Sequence, residues 1–377
     1  MISIQKPQHF QKQNKLLMVS QTYQKGLIDL QLNYNMDQFK ILGQGAENIV
    51  YQYIGEDPNF KDKVIRIRKP RDICELSTNL IIPLNDTDWT PLKKYFLKKQ
   101  PYQIGDQQCQ IMDNLFYNVV FAVEIKPKTF LPILSKKQEN KDLSDPKNQR
   151  FFMVSLLKAQ KKLQKTDKNI YKCTKKEIDP IISKYDPRKF YNCKIENLFD
   201  SIIDLSEVPD SNLKLFNNQQ QRVQSIPEFN IEDIASIISE TLLLENIIQQ
   251  LKGFFHMIQQ MNFTIEEAFE AYEQLKQRNL TNNQYQEIVE GKFQDPEISK
   301  LVFKLLTFSS IQALSDLSII GSFRKEGQGK FVEIGNQKLF YQYSIIDCDL
   351  KPLNKIYDYM STIDELIKLR DYYNSLQ

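Results

Sequence analysis

The fold of the N-terminal part is decided by residues 39–69, which read FKILGQGAENIVYQYIGEDPNFKDKVIRIRK. Two apolar runs flank a glycine-containing turn, a polar turn EDPNFKD follows, and a third run, KVIRIRK, completes the pattern. Runs rich in β-branched and aromatic residues, separated by such turns, are typical of strands. The stretch therefore predicts a short antiparallel meander.

The first turn contains Gly43 and Gly45, followed by Ala46 and Asn48. Glycines at this position let backbone amides approach phosphate groups without a side-chain clash, so the turn is a candidate phosphate-binding flap. A tight hairpin that only needs a positive φ would show the same residues. Such a flap needs a cation on a nearby strand, and Arg66 in the third run has that position, although an arginine on a solvated sheet face would look alike.

A second candidate site follows the apolar run NLFYNVVFAVEI, residues 114–125, which predicts a buried strand. Glu124, Lys126 and Lys128 have the same parity, so they are expected to point to one side. Two lysines beside a buried run are costly unless an anion or a carboxylate receives them. This run therefore predicts a charged site at the end of the strand.

The clearest indication of chemistry is SIIDCDLKPLNKIYDYM, residues 344–360. A strand that delivers Asp347 and Asp349 at its end, before a helix that starts at Pro352, places carboxylates where a divalent metal ion could bind. An N-cap aspartate with a solvated partner would give the same DxD pattern.

A basic stripe accompanies these carboxylates. Lys351, Lys355 and Tyr359 follow Asp347 at intervals of four residues, so they are expected to line one side of a helix beside the metal site. Asp316, by contrast, is a lone carboxylate before an apolar strand, and a capping role is its plainer explanation from the residues alone.

The remaining pattern predicts a helix-rich C-terminal part. Helical spacing favours a helix over 150–164 and a pair of long helices between 229 and about 279, the second with a capping box of Thr264 and Glu267. Two strands, DLSIIGSFR and FYQYSIID, flank a hairpin-like GQGK connection. Residues 1–35 are rich in Gln, Lys and Asn and are expected to be loosely ordered.

Composition excludes several classes of protein. At 377 residues the chain exceeds the usual size of a single core, which predicts two lobes, and its formal charge of +3 is too small to indicate a nucleic-acid coat or a membrane tether. Five scattered cysteines and two histidines indicate reduced thiols in a cytoplasmic or nuclear protein, not a disulfide or zinc framework. No segment has the length of a secretory h-region or a membrane span, and no GxSxG or Cys/His arrangement favours acyl transfer.

The chain resembles the inositol-pentakisphosphate 2-kinase family in eight blocks, which follow that family's order from about residue 39 to residue 360: GQGAENIVYQY, VIRIRKPR, VEIKPKTFLP, RFFMVSLLK, ISKYDPRKF, SNLKLF, DLSII and SIIDCDLKPLNKI. VEIKPK and the DxDxKP block are the specific ones. The resemblance implies an α+β, two-lobed kinase-like fold, with a small antiparallel-sheet N-lobe over 36–122 and a larger helix-rich C-lobe with its own sheet over 123–377.

The resemblance also implies site residues. Asp316 matches the catalytic aspartate at the substrate hydroxyl, Lys126 would neutralise the transferring group, and Asp347 matches the magnesium ligand, with Asp349 as its candidate partner. The matches for nucleotide binding are Gly43, Gly45, Ala46, Asn48, Arg66 and Glu124. The matches for substrate binding are Arg71, Lys128, Lys158, Asn212, Lys214, Lys351, Lys355 and Tyr359.

The implied reaction uses ATP and Mg²⁺ to phosphorylate inositol pentakisphosphate at its 2-hydroxyl, in a monomer that needs no nucleic acid or membrane. The chain departs from the family where Lys214 replaces an arginine, which removes a bidentate fork, and where KYDPRKF replaces a Leu-Asp-Leu-Phe continuation. The alternatives are another inositol-polyphosphate kinase, a non-catalytic inositide-binding pseudokinase and, less favoured, a nucleic-acid binder.

Overall fold

A computed structural model describes residues 38–44, 48–58, 60–68, 100–104, 107–130, 135–138, 145–207, 212–260, 263–278, 284, 295–334, 337–347 and 355–376. They divide into two compact units. The first lies within Met1–Leu80, Leu97–Tyr117 and Leu275–Val302, and the second within Ile81–Phe96, Asn118–Gln274 and Phe303–Gln377. The fold is α+β with two antiparallel sheets, as predicted. The predicted lobe boundaries stay predictions, and residues 1–35 lie outside the described part.

The first unit contains a five-stranded antiparallel sheet. Its strands are β1 (Phe39–Gln44), β2 (Asn48–Tyr53), β3 (Lys63–Arg68), β4 (Gln100–Ile104) and β5 (Gln107–Asp113), in the order β1-β2-β3-β5-β4. The predicted meander is confirmed in β1–β3. The β1–β2 register shifts between Ile41 and Gly43, and Gly43 then pairs with Val50. Tyr53, Phe60 and Ile65 are buried, so β2 and β3 present apolar side chains to a small core.

The second unit contains a six-stranded antiparallel sheet. Its strands are β6 (Phe121–Ile125), β7 (Leu213–Asn217), β8 (Arg222–Val223), β9 (Ser318–Arg324), β10 (Phe331–Ile334) and β11 (Gln337–Ile346), in the order β10-β11-β9-β6-β7-β8. The prediction that GQGK connects β9 to β11 as a hairpin is wrong. After GQGK the chain first forms the additional strand β10 and only then β11. β9 pairs with β11, and β10 pairs with the other side of β11.

The helices of the described residues are α1 (Arg150–Gln164), α2 (Lys175–Ile178), α3 (Pro187–Phe190), α4 (Ile195–Glu207), α5 (Ile231–Glu245), α6 (Ile247–Gln260), α7 (Ile265–Gln277), α8 (Pro296–Ser315) and α9 (Ile356–Ser375). The prediction for 150–164 is confirmed. The region that was predicted to form a pair of long helices forms three, α5, α6 and α7. The additional break occurs because Asn246 has φ 61 and ends α5 in the left-handed conformation.

Two helix starts bear on the predictions. The capping box before α7 is confirmed: Glu267 N–H donates to Thr264 Oγ1 at 3.3 Å, and Thr264 N–H donates to Glu267 Oε2 at 3.0 Å. The last helix, expected from Pro352, is described from Ile356 with Lys355 as its N-cap. Within the described ranges, no helix has both the length and the apolar character of a bilayer span.

The main core of the second unit covers one face of the sheet. Phe121, Val123 and Ile125 of β6 are fully buried in it, together with apolar side chains of α4, α5 and α6. Successive strand residues point to opposite faces, so Glu124 lies on the face opposite to this core. The polar residues that follow β6 are therefore supported by a rigid apolar layer.

Candidate functional site

The topology of the second sheet brings three chain segments to one edge. β9 lies between β6 and β11 and is antiparallel to both, so its start meets their ends. Ile125 at the end of β6 pairs with Ile319, and Ile346 at the end of β11 pairs with Ser318. Consequently Lys126 and the residues after it, Asp316 before β9, and Asp347 after β11 are neighbours in space.

A first group of charged side chains surrounds Lys126, and we name Glu124, Lys126, Lys214, Ser318 and Asp347 the Lys126 cluster. Lys126 Nζ lies 3.3 Å from Asp347 Oδ2 and 3.6 Å from Glu124 Oε1. Lys214, directly opposite Glu124 in the β6–β7 register, donates from Nζ to Glu124 Oε2 at 2.8 Å. Glu124, with 12% of its side chain exposed, thus receives two ammonium groups.

Ser318 joins the two carboxylates of the Lys126 cluster. Its fully buried hydroxyl lies 3.0 Å from Asp347 Oδ2 and 3.3 Å from Glu124 Oε1. Burial alone would lower the pKa of Lys126, but Asp347 and Glu124 together raise that pKa above its ordinary value. Lys126 is therefore held in its charged form by two carboxylates.

A second group, which we name the Asp316 cluster, consists of Asp316, Lys128, Arg150 and Tyr359. Lys128 Nζ donates to Asp316 Oδ1 at 3.2 Å, and the Arg150 guanidinium lies 5.8 Å from the centre of the Tyr359 ring. Burial lowers the pKa of Lys128 although Asp316 opposes the change, and the nearby charges of Lys126 and Lys158 lower it further. Burial also lowers the pKa of Arg150, against the charge of Asp316.

Arg150 is a site residue that the sequence reasoning missed. It is the first residue of α1, and its side chain interacts with Asp316 and Tyr359. The partial positive charge of a helix N-terminus disfavours a cation there, so an arginine in this place needs an anion nearby. That mismatch was the available signal. Ser318 was also missed, and nothing in its local sequence distinguishes it from any strand serine.

The other predicted residues of the second unit have diverse positions. Tyr359 is in the Asp316 cluster, whereas Lys355 is half-exposed and donates to Asp358 Oδ2 at 2.8 Å. Asn212 is buried, its carbonyl accepts from Lys126 N–H at 2.8 Å, and its Nδ2 has no hydrogen-bond partner among the described residues. Lys158 is an exposed residue of α1.

In the first unit, Gly43 and Asn48 lie in β1 and β2 at the hairpin, and Arg66 of β3 pairs with Val50. The proposed flap thus has the strand neighbours that the sequence predicted, while its function stays a prediction. Five of the predicted site residues lie outside the described residues: Gly45, Ala46, Arg71, Asp349 and Lys351.

Asp347 is a candidate ligand for a metal ion that is held by one or two protein carboxylates. Its side chain is 42% exposed. Oδ2 accepts from Lys126 and Ser318, whereas Oδ1 forms no hydrogen bond or ion pair with the described residues. The part of the chain that the structure describes contains no group of three or more His, Cys, Asp or Glu side chains around one point. Mg²⁺ is commonly held by one or two carboxylates together with water and phosphate oxygens, so Asp347 fits this ion.

A sheet edge with carboxylates and partly buried cations, on an α+β scaffold, suits phosphoryl transfer, which depends on positioning and charge stabilisation. This arrangement agrees with a phosphotransferase, the class of enzyme that the family match gives the chain. The family model for inositol-pentakisphosphate 2-kinase matches residues 97–365, and the chain belongs to this family. The resemblance of the sequence blocks that lie between residues 97 and 365 is thereby confirmed. ATP and an inositol phosphate are the substrates that the family implies. A search of curated proteins gives no match.

Proposed function

We propose that this protein transfers the γ-phosphoryl group of ATP to the 2-hydroxyl of inositol 1,3,4,5,6-pentakisphosphate and produces inositol hexakisphosphate. The observation that carries the proposal is the charge of the Asp316 cluster, where two partly buried cations, Lys128 and Arg150, accompany one carboxylate. Cations that lose part of their solvation are costly without counter-charges. A substrate with several phosphate groups supplies the missing negative charge.

Asp316 is the proposed group at the reacting hydroxyl. Its side chain is 46% exposed and is fixed through Oδ1 by Lys128. A carboxylate in this position can accept a hydrogen bond from a substrate hydroxyl, orient it and take its proton, while the cations around it bind the phosphates of the same ring. Proximity and charge neutralisation thus come from the same cluster.

The Lys126 cluster is proposed to receive the nucleotide phosphates. Lys126 remains charged and can neutralise the transferring group. Asp347 would hold the metal ion through Oδ1, the carboxylate oxygen that forms no hydrogen bond or ion pair with the described residues. When bound, Mg²⁺ supplies charge neutralisation at the phosphate oxygens. For the first unit, nucleotide binding by Gly43, Asn48 and Arg66 stays a prediction from the sequence.

The proposal is tested by incubating purified protein with ATP, Mg²⁺ and a panel of inositol phosphates, and by resolving the products by chromatography. We expect inositol hexakisphosphate as the principal product, formed from the 1,3,4,5,6-pentakisphosphate isomer. The Asp316→Asn variant, purified in parallel, controls for contaminating kinases. Transfer to another isomer or position would identify a different inositol-polyphosphate kinase, and inositide binding without transfer would indicate a pseudokinase.

A further inference from the structure

The two site lysines leave β6 through an unusual turn. Lys128 has φ 58, in the left-handed region that residues other than glycine rarely adopt. The ladder pairing of β6 ends at Ile125, and two carbonyl groups of the Lys126–Lys128 turn accept hydrogen bonds from tyrosines. Tyr185 Oη donates to Pro127 O at 2.6 Å, and Tyr191 Oη donates to Lys128 O at 2.9 Å.

The two tyrosine rings are fixed by the core. Tyr185 and Tyr191 are both buried. The ring of Tyr185 meets that of Phe151 edge-on at 5.3 Å, and the ring of Tyr191 meets those of Phe130 and Phe255 at 5.3 Å and 5.4 Å. Aromatic side chains packed in this way have little rotational freedom, so their hydroxyl groups have fixed positions.

The segment between Tyr185 and Tyr191 is held in a defined conformation by local contacts. Asp186 caps α3 by accepting from Arg188 N–H at 2.9 Å, and the Arg188 guanidinium donates to Asp186 Oδ2 at 2.7 Å. Pro187 begins the short helix with a fixed φ. The distance between the two hydroxyl groups is therefore set within one local unit.

We propose that Tyr185 and Tyr191 are positioning residues, whose hydroxyl groups clamp the Lys126–Lys128 turn and thereby aim the two ammonium groups at Asp347 and Asp316. The clamp rests on the proposed kinase function, because its purpose is the placement of two phosphate-binding cations. It also gives a role to KYDPRKF, the segment where the chain departs from its family: Tyr185, Asp186 and Arg188 all belong to it.

The consequence for the site follows from geometry. Lys128 reaches Asp316 at 3.2 Å and Lys126 reaches Asp347 at 3.3 Å from backbone positions only two residues apart. If the carbonyl anchors are lost, the left-handed turn can relax, and a shift of about 1 Å in a positioned group can lower catalytic efficiency on the order of a hundredfold.

The test compares three variants of the full-length protein, each with one tyrosine hydroxyl removed: Tyr185→Phe, Tyr191→Phe and the control Tyr372→Phe. The control hydroxyl also donates to a backbone carbonyl, Cys173 O, at 2.9 Å. Two readouts are needed: hydrogen exchange of the backbone amides between residues 126 and 130, where Pro127 has no amide hydrogen, and separate KM values for inositol pentakisphosphate and ATP. Thermal unfolding shows whether each variant is folded.

We expect both clamp variants to lose amide protection at residues 126–130 and Tyr191→Phe to raise the inositide KM by roughly tenfold, with a smaller change for ATP. Tyr372→Phe should change neither readout. Equal effects in all three variants, or unchanged protection in both clamp variants, would overturn the proposal. If the wild-type protein transfers no phosphate, the proposed function fails, while amide protection still decides whether the clamp exists. If one clamp variant does not fold, the other carries the test.

Discussion

The Lys126 cluster and the Asp316 cluster lie at the same sheet edge and differ in charge balance. In the Lys126 cluster, two lysines face two carboxylates, and a buried serine bridges the carboxylates. In the Asp316 cluster, Lys128 and Arg150 accompany a single carboxylate. The first cluster is neutral within itself, and the second keeps a positive excess that an anionic ligand can compensate.

Lys126 and Lys128 allow the two clusters to be compared directly, because they are the same residue type and only two positions apart. Both lose solvation by burial, yet the pKa of Lys126 is raised and the pKa of Lys128 is lowered. Lys128 is more deeply buried and lies near the charges of Lys126 and Lys158, whereas Lys126 has more carboxylates nearby, so desolvation dominates at Lys128 and attraction dominates at Lys126. We infer that the Lys126 cluster is complete before ligands bind, whereas the Asp316 cluster is prepared for a ligand with several negative charges.

The largest expected effect comes from removal of the carboxylate in the Asp316 cluster. Asp316→Asn should lower turnover by at least the roughly hundredfold that is typical for loss of one positioned acid-base group, while the fold and nucleotide affinity persist. Steady-state kinetics and calorimetric titration with ATP measure both quantities. Turnover within a factor of a few of the wild-type value would remove Asp316 from the mechanism.

The corresponding change in the Lys126 cluster should affect metal dependence instead. Asp347→Asn removes a charged oxygen that fits Mg²⁺, so we expect the Mg²⁺ concentration needed for half-maximal nucleotide binding to rise by about tenfold or more. Asp364→Asn is the control, because Asp364 is an exposed carboxylate paired with Lys137. An unchanged metal requirement in Asp347→Asn would contradict a role as metal ligand.

A third substitution tests whether the two clusters bind different substrates. Lys128→Met should raise the KM for the inositide by on the order of tenfold, since a charge-assisted contact contributes about 1.5–3 kcal/mol, and leave the KM for ATP nearly unchanged. Lys330→Met is a matched control, because Lys330 is an exposed lysine with one carboxylate partner, Glu245, at 3.0 Å. A parallel rise in both KM values would mean that the two clusters do not bind different substrates.

The general fold could be predicted because its signals are local. Apolar runs and turns gave the β1–β3 meander, and helical spacing gave α1 over Arg150–Gln164. β10 was missed, because FVEI is a short strand at the edge of the described sheet, where it pairs with β11. The break at Asn246 depends on one residue in a left-handed conformation, which an asparagine permits but does not require.

The site was predictable as a set of residues and not as an arrangement. Parity suggested that Glu124, Lys126 and Lys128 act together, but antiparallel pairing across three strands, β6, β9 and β11, decides that Lys126 meets Asp347 and Lys128 meets Asp316. These pairs are separated by 221 and 188 residues in the sequence, so no spacing rule could reveal them. The clamp by Tyr185 and Tyr191 was hidden for the same reason.

The smallest expected effect is a pH dependence that distinguishes deprotonation of Lys128 from deprotonation of Lys126. Because the pKa of Lys128 is lowered and that of Lys126 is raised, Lys128 should lose its proton first as the solution becomes alkaline. Phosphate groups, whose second pKa is near 6, are already ionised in that range. We therefore expect the inositide KM to rise by roughly threefold at a pH where turnover at saturating substrate is still unchanged.

The same shifts fix the sign of the stability changes. The pairing of Lys126 stabilises the fold fully below its unfolded-state pKa, and this stabilisation is lost as the pH rises through the raised folded-state pKa. Lys128 acts in the opposite sense: between its lowered pKa and its unfolded-state pKa the unfolded chain binds more protons, so stability increases with pH.

Lys128→Arg is the decisive variant for the pH dependence of the inositide KM, because arginine keeps its charge throughout this range. It should move the rise in inositide KM to higher pH, and an unmoved rise would show that another group titrates.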